Sequence, residues 1–316
     1  MKKSTKSIIE HINDFLEYLD IEKGLSNKSQ ETYERFLRRF SKWLEINNLK
    51  ALLPHELTED YVRKYRVFLS QTFNKNIKQP LKRSTQNYYL IALRNLLNYF
   101  TDRDILSLSA KKIKLGKSRL EERIIKFLTL DQIKKLLEMP EIKNITGLRD
   151  RAILESLFST GIRVAELVNL NKEQFRIIND TKDLEIVIIG KGNRPRPVYF
   201  SSRAIKWLEK YLKTRKDKEK ALFINYKGPK TASKRLSSRS IENIVKKYAL
   251  LAGVPIFTSP HTIRHSFATD LLNQGVDLRT IQEFLGHKNI GTTQIYASVT
   301  SKKLKDTHRK FHSLKE

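Results

Sequence analysis

Hydrophobic positions in the first hundred residues recur with helical spacing in four separate stretches. Ile8, Ile9, Ile12, Phe15, Leu16 and Leu19 form one stripe, and Tyr33, Phe36, Leu37, Phe40 and Leu44 a second. Tyr61, Val62, Tyr65, Phe68 and Leu69 form a third, and Tyr88, Ile91, Leu96, Leu97 and Phe100 a fourth. Each stripe has the period of an amphipathic helix, so this region predicts a small helical bundle. Gly24, Ser26, Pro54, Pro80 and Ser84 supply turn and cap chemistry between the stripes.

From about Thr101 to Lys126 the apolar period dissolves into a charged stretch, after which Thr129-Leu130-Asp131-Gln132 offers a capping box for a new helix. The expected organisation is a helical domain over residues 1–105, a basic linker over 106–126 and a second domain over 127–316. A mobile linker would let the two domains close around a duplex like a clamp; an ordinary connector is the alternative. Beyond it, helical periods run from about Leu130 to Leu137, Arg149 to Phe158, Ala204 to Leu212, Ser238 to Leu251, His261 to Leu272 and Leu278 to Leu285. Residues Glu185 to Ile189 and Pro197 to Phe200 have strand composition, and the intervening loop begins Gly190-Lys191-Gly192-Asn193, which marks a β-hairpin. The expected fold is mainly α, with a small antiparallel sheet in the second domain.

Charge then narrows the partner. The 316 residues carry 62 Lys and Arg against 34 Asp and Glu, a formal net charge of +28. The excess is spread over both halves, with 22 basic and 13 acidic residues in the first 116. Two basic domains point to a polyanion held by both, and nucleic acid is the expected one. The alternative is a lysine-rich solvated surface. The chain has no cysteine, which removes disulfides, thiol nucleophiles and cysteine metal sites and fits cytoplasmic residence. Glu10 and His11 interrupt any apolar run after Lys2, Lys3 and Lys6, so no secretory signal is expected. No stretch approaches the roughly 18 apolar residues of a membrane span.

Four segments place a cation or a proton carrier beside a backbone break. Arg163 follows Gly161 and stands three residues before Glu166, which on a helix face would pair with it and orient it; an ordinary surface ion pair has the same spacing. Lys191 sits among glycines in the hairpin loop, followed by Arg194 and Arg196, and suits either phosphate contact and proton donation or a solvated tip. His261 and Arg264 stand three apart on one predicted helix face, with His265 one residue further. The spacing of His261 and His265 also suits zinc, but Thr262 stands where a metalloprotease helix has Glu, and Arg264 would oppose the ion. Finally, His287 follows a helix-stopping glycine, with Tyr296 nine positions on; taken singly, both residue types are more often structural.

Taken together, Arg163, Lys191, His261 with Arg264, His287 and Tyr296 resemble the tyrosine recombinases, and among them the compact Xer type. The shared motifs are Thr160-Gly-Ile-Arg163-Val-Ala-Glu166-Leu, Gly190-Lys-Gly-Asn193, His261-Thr-Ile-Arg264-His265-Ser-Phe-Ala-Thr269, and Leu285-Gly-His287 followed by Thr292-Thr-Gln-Ile-Tyr296. The resemblance is strong from about Phe127 to Lys303 and looser over the N-terminal helices, which it casts as a SAM-like core-binding domain. Ala297-Ser298 departs from many members, which have a His two residues after the tyrosine.

The resemblance implies a site-specific recombinase that cuts and rejoins DNA through a 3′-phosphotyrosyl link, with no cofactor, metal or ATP. It casts Tyr296 as nucleophile, Arg163 and Arg264 as clamps on the phosphate, Lys191 as general acid, His261 as acceptor of the Tyr296 proton or as sharing it with the phosphate, and His287 as a phosphate hydrogen-bond donor. Glu166 supports Arg163, while Arg194 and Arg196 are expected to bind DNA. Double-stranded DNA is the implied partner, held by a homo-tetramer or by a hetero-tetramer with a paralogue, and a DNA-translocating motor is a possible activator. The tail over residues 301–316 spaces Leu304, His308, Phe311 and Leu314 like a helix; the resemblance docks it on a neighbouring subunit, with docking on its own domain as the alternative. A chromosome or plasmid dimer-resolving role in the nucleoid is preferred to a mobile-element integrase, because core-binding helices begin almost at Met1. Rival classes are a non-catalytic DNA clamp, a nicking-closing topoisomerase and a metal-dependent nuclease.

Overall fold

Ser7 opens the first helix, α1 (Ile8–Ile21): its hydroxyl accepts from the Glu10 amide while the Glu10 carboxylate accepts from the Ser7 amide. The computed structural model describes residues 1–74, 79–116, 126–175, 184–190, 194–227, 229 and 233–286. They belong to two units, residues 1–122 and 123–316.

In the first unit, α1 is followed by α2 (Asn27–Ile46), α3 (Glu59–Gln71) and α4 (Arg83–Asp102), with a short antiparallel pair, β1 (Phe73–Asn74) and β2 (Gln79–Pro80), between the last two helices. The four stripes converge on one core, where Phe15, Phe40, Tyr65, Leu69, Leu93 and Phe100 are almost inaccessible. On α4 the buried face runs through Leu90, Leu93, Leu96, Leu97 and Phe100. Tyr88 stays exposed at its rim and stacks on Phe36. Residues 106–116, expected to start the linker, instead finish this core: Ala110 and Ile113 are buried in it, and Asn87 exchanges hydrogen bonds with the Gly116 backbone. Their apolar positions are too few for a helical period, yet Leu108, Ala110, Ile113 and Leu115 pack on the bundle.

The second unit opens on α5 (Leu130–Glu138), started by the Thr129–Gln132 capping box. α6 (Ile145–Thr160) then runs through the core, buried on nearly every side. Its charged residues are satisfied internally: Arg149 donates to Asp150, which also accepts from the Tyr248 hydroxyl, and Arg151 donates to Glu155. Gly161 ends α6 at φ 56°, in the left-handed region that favours glycine. The chain continues through a six-residue helix, α7 (Val164–Asn169), too short to show a period. Strands β3 (Leu184–Gly190) and β4 (Arg194–Phe200) pair antiparallel, with Ile186 opposite Val198 and Ile188 opposite Arg196. Then come α8 (Ser202–Lys213), α9 (Ser238–Leu251), α10 (Pro260–Asn273) and α11 (Leu278–Leu285), the last stopped by Gly286 at φ 60°. Leu154, Leu167, Ile186, Val198, Phe200, Leu208, Ile241 and Ile263 line the core. The architecture is mainly α with a small antiparallel sheet, as the patterning predicts. Among the described residues, no helix is long and apolar enough to cross a membrane.

Candidate active site

The C-terminus of α11 is the centre of the site. A helix end leaves its last carbonyls without intrahelical partners and carries the negative end of the helix dipole, so it attracts cations. Here three arginines from three other segments each donate to one of three successive carbonyls. Arg196 on β4 donates Nη1–H to Phe284 O at 2.8 Å, Arg264 on α10 donates to Leu285 O, and Arg163 before α7 donates Nη2–H to Gly286 O at 3.0 Å. Arg264 also donates Nη1–H to Gly161 O at 2.6 Å, at the C-terminus of α6.

The glycines that end α6 and α11 each admit a close neighbour. A Cβ on Gly161 would lie 2.4 Å from Phe267 Cδ1, and one on Gly286 would lie 2.5 Å from Arg196 Cδ. Each glycine therefore ends a helix in a left-handed conformation and lets a neighbouring side chain pass over its backbone.

Glu166 joins two of the arginines. Its side chain is 6% exposed; Oε1 accepts from Arg163 Nη1–H at 2.9 Å, and Oε2 accepts from the Arg163 backbone amide at 2.9 Å and from Arg196 Nη2–H at 2.8 Å. One carboxylate thus serves two guanidiniums, and Arg264 adds a third nearby cation held by backbone carbonyls. A cluster with this surplus of positive charge is suited to an anion, and planar forks match the oxygens of a phosphodiester. The Arg163 side chain is 31% exposed while that of Arg196 is 10% exposed, so Arg163 has the more open face.

His261 enters on the second residue of α10, behind Pro260 and the cap Ser259. It is exposed, and desolvation together with the cations Arg264 and Arg163 pulls its pKa below the usual imidazole value. That favours the neutral ring, which can accept a proton. His265, half-buried one turn along, meets it edge to face with centroids 4.3 Å apart. Burial, His261 and Arg264 bring the His265 pKa down to about 4. Burial also lowers the Arg196 pKa, against the pull of Glu166; a guanidinium remains charged regardless.

Residues 126–303 match the phage integrase family, and residues 12–104 match the phage integrase N-terminal SAM-like domain. The chain belongs to the phage integrase family. Among its relatives, tyrosine recombinase XerC of Pelotomaculum thermopropionicum is 34% identical over 315 residues, covering 96% of this chain and 97% of that one. Tyrosine recombinase XerD of Listeria monocytogenes serotype 4b is also 34% identical, over 309 residues and 95% and 98% of the two chains. The structure of XerH site-specific recombinase bound to palindromic difH substrate in a post-cleavage complex is similar in fold, with a TM-score of 0.77 at 22% identity over 97% of this chain and 96% of that chain. The protein is a Xer-type site-specific tyrosine recombinase, an enzyme that cleaves and rejoins DNA strands through a tyrosine.

In this tyrosine recombinase the fold brings Arg163, Glu166, Arg264 and His261 together. Lys191, His287 and Tyr296 lie outside the described residues, each next to or beyond a described anchor: Gly190 precedes Lys191, and Gly286 precedes His287. Arg163 differs in one detail from the sequence expectation. It is the N-cap of α7, with extended φ and ψ, so Glu166 reaches back over the helix start to accept from both the backbone amide and the guanidinium of Arg163, instead of pairing with it along one helix face. Arg196 differs more. Expected as a groove-facing DNA contact beside Arg194, it turns inward, because it shares the strand face of Val198 and Phe200, both buried. Counting back by twos from Phe200 would have found this orientation. Arg194 is exposed.

Proposed function

We propose that this site holds the scissile phosphate of a DNA strand between Arg163 and Arg264 and passes it to Tyr296. The Tyr296 Oη–P bond forms as the P–O5′ bond breaks; His261 takes the phenolic proton and Lys191 gives one to the departing 5′-oxygen. His287 donates a hydrogen bond to a non-bridging oxygen. The 3′-phosphotyrosyl link conserves the phosphodiester bond energy, so a second 5′-hydroxyl can reverse the step without ATP. The observation that carries this reading is the convergence of three arginines on successive carbonyls of α11, which fixes two forks before any substrate arrives.

The biological reaction we infer is dimer resolution of a chromosome or plasmid in the nucleoid. The active assembly is a tetramer on paired duplex sites, homomeric or shared with a paralogue, with a DNA-translocating motor as activator. Near-full-length similarity to XerC and XerD proteins supports this assignment. The test takes a binding site selected from randomised duplexes and places two direct copies on a plasmid. Resolution in cells that depends on Tyr296 is expected; plasmids that stay intact with every candidate paralogue supplied would contradict it.

A further inference from the structure

The contacts around Glu166 close into a ring. Arg163 donates to Glu166, Arg196 donates to the same carboxylate and to Phe284 O, and two residues on Gly286 O accepts from Arg163. The ring links the start of α7, strand β4 and the end of α11. Strand β3 touches it as well: a Cβ on Gly190 would meet Glu166 Oε1 at 3.5 Å and Arg196 Nε at 4.0 Å. Arg196 therefore sits where the segments leading to Arg163, Lys191 and His287 meet. Its side chain is 10% exposed and both of its Nη atoms are engaged.

We infer that Arg196 is a positioning residue for strand cleavage, holding Glu166 against the end of α11 and thereby setting the Arg163 fork on the scissile phosphate. This rests on the proposal that Arg163 binds a non-bridging oxygen. Glu166 alone fixes one edge of the Arg163 guanidinium; the second edge depends on where Gly286 O lies, and Arg196 sets that through Phe284 O. Lysine cannot replace it, because one ammonium does not span a carboxylate and a carbonyl in the fixed plane of a fork. Gly286 belongs to the same device, since any side chain there displaces the Arg196 stem.

The experiment measures single-turnover cleavage of nicked duplexes carrying either the natural phosphodiester or a neutral methylphosphonate at the scissile position, with duplex affinity and thermal melting measured in parallel. Misplacement of a reacting group by about 1 Å costs on the order of 10² in rate, so Arg196→Met and Arg196→Lys are expected to slow cleavage of the phosphodiester by about that factor. Duplex affinity should change little. On the methylphosphonate, which has one non-bridging oxygen fewer to neutralise, the deficit should shrink for Arg196→Met just as for Arg163→Ala. Gly286→Ala, which keeps the arginine in the chain but pushes its stem aside, should reproduce the pattern if Arg196→Met folds poorly.

Equal deficits on both substrates for the Arg196 and Gly286 variants, with relief only for Arg163→Ala, would overturn the inference and leave Arg196 a packing residue. A large loss of duplex affinity with normal cleavage at saturation would make it a DNA contact instead. Absence of relief for Arg163→Ala would remove the phosphate reading itself, and this inference with it.

Discussion

Arg264 donates to the carbonyl of Gly161 at 2.6 Å, although the two residues stand 103 positions apart in the chain. With its second bond to Leu285 O, one buried side chain ties the ends of α6 and α11 to α10. Arg264→Lys keeps the charge but loses the fork and leaves buried carbonyls without donors. Each such group costs about 1–3 kcal/mol, so with two carbonyls affected a loss of about 2–6 kcal/mol in urea unfolding is expected. Single-turnover cleavage should fall by about 10² or more, as when one preorganised oxyanion donor is removed. Unchanged stability would show that the two carbonyl contacts contribute nothing.

Acid should weaken the second unit through His265. Its folded-state pKa of about 4 lies below the ordinary imidazole value of 6.5, so the unfolded chain binds a proton that the folded protein refuses. Stability is then full above about pH 6.5 and falls as pH drops towards 4. Urea midpoints across that range should decline less steeply for His265→Gln than for the parent. Parallel curves would remove His265 as a source of the dependence.

Much of this architecture is legible in the sequence, for reasons that can be named residue by residue. Helices α5, α9 and α11 match their periodic stretches closely because each buries one apolar face and carries its own cap. The left-handed turn at Gly286 is legible because glycine after a periodic run stops a helix. The spacing of Arg163 and Glu166 suggests their pair, though it forms across the helix start and not along a helix face. The partners of Arg264 do not, because backbone carbonyls have no residue identity: nothing in the letters Gly161 or Leu285 announces an arginine acceptor. Arg196 was obscured by a different effect. Beside Arg194 in a basic loop it resembles a DNA contact, and only strand alternation, carried back through two prolines, turns it inward. Lys191, His287 and Tyr296 remain assigned by motif.

The general-acid role proposed for Lys191 has a chemical rescue. Lys191→Ala should cleave an ordinary strand poorly but recover on a duplex with sulfur at the 5′-bridging position, because a thiolate leaves without protonation. Equal impairment on both substrates would remove Lys191 from that role.

Deletion of residues 301–316 tests the proposed tail exchange. Binding of a single duplex site should survive, while synapsis of two sites and complete recombination should fail in electrophoretic and strand-exchange assays. Recombination at the full rate by the truncated protein would contradict docking on a neighbouring subunit.

The central claim, transfer of a DNA 3′-phosphate to Tyr296, is tested most directly by covalent capture. Wild-type and Tyr296→Phe protein are incubated in EDTA with nicked duplexes bearing selected sites, denatured, and analysed for protein-linked DNA. The account predicts a 3′-phosphate link on Tyr296, identified by peptide mass, that is absent from Tyr296→Phe. A link that persists in Tyr296→Phe, or no link in either protein on duplexes that both still bind, would contradict it.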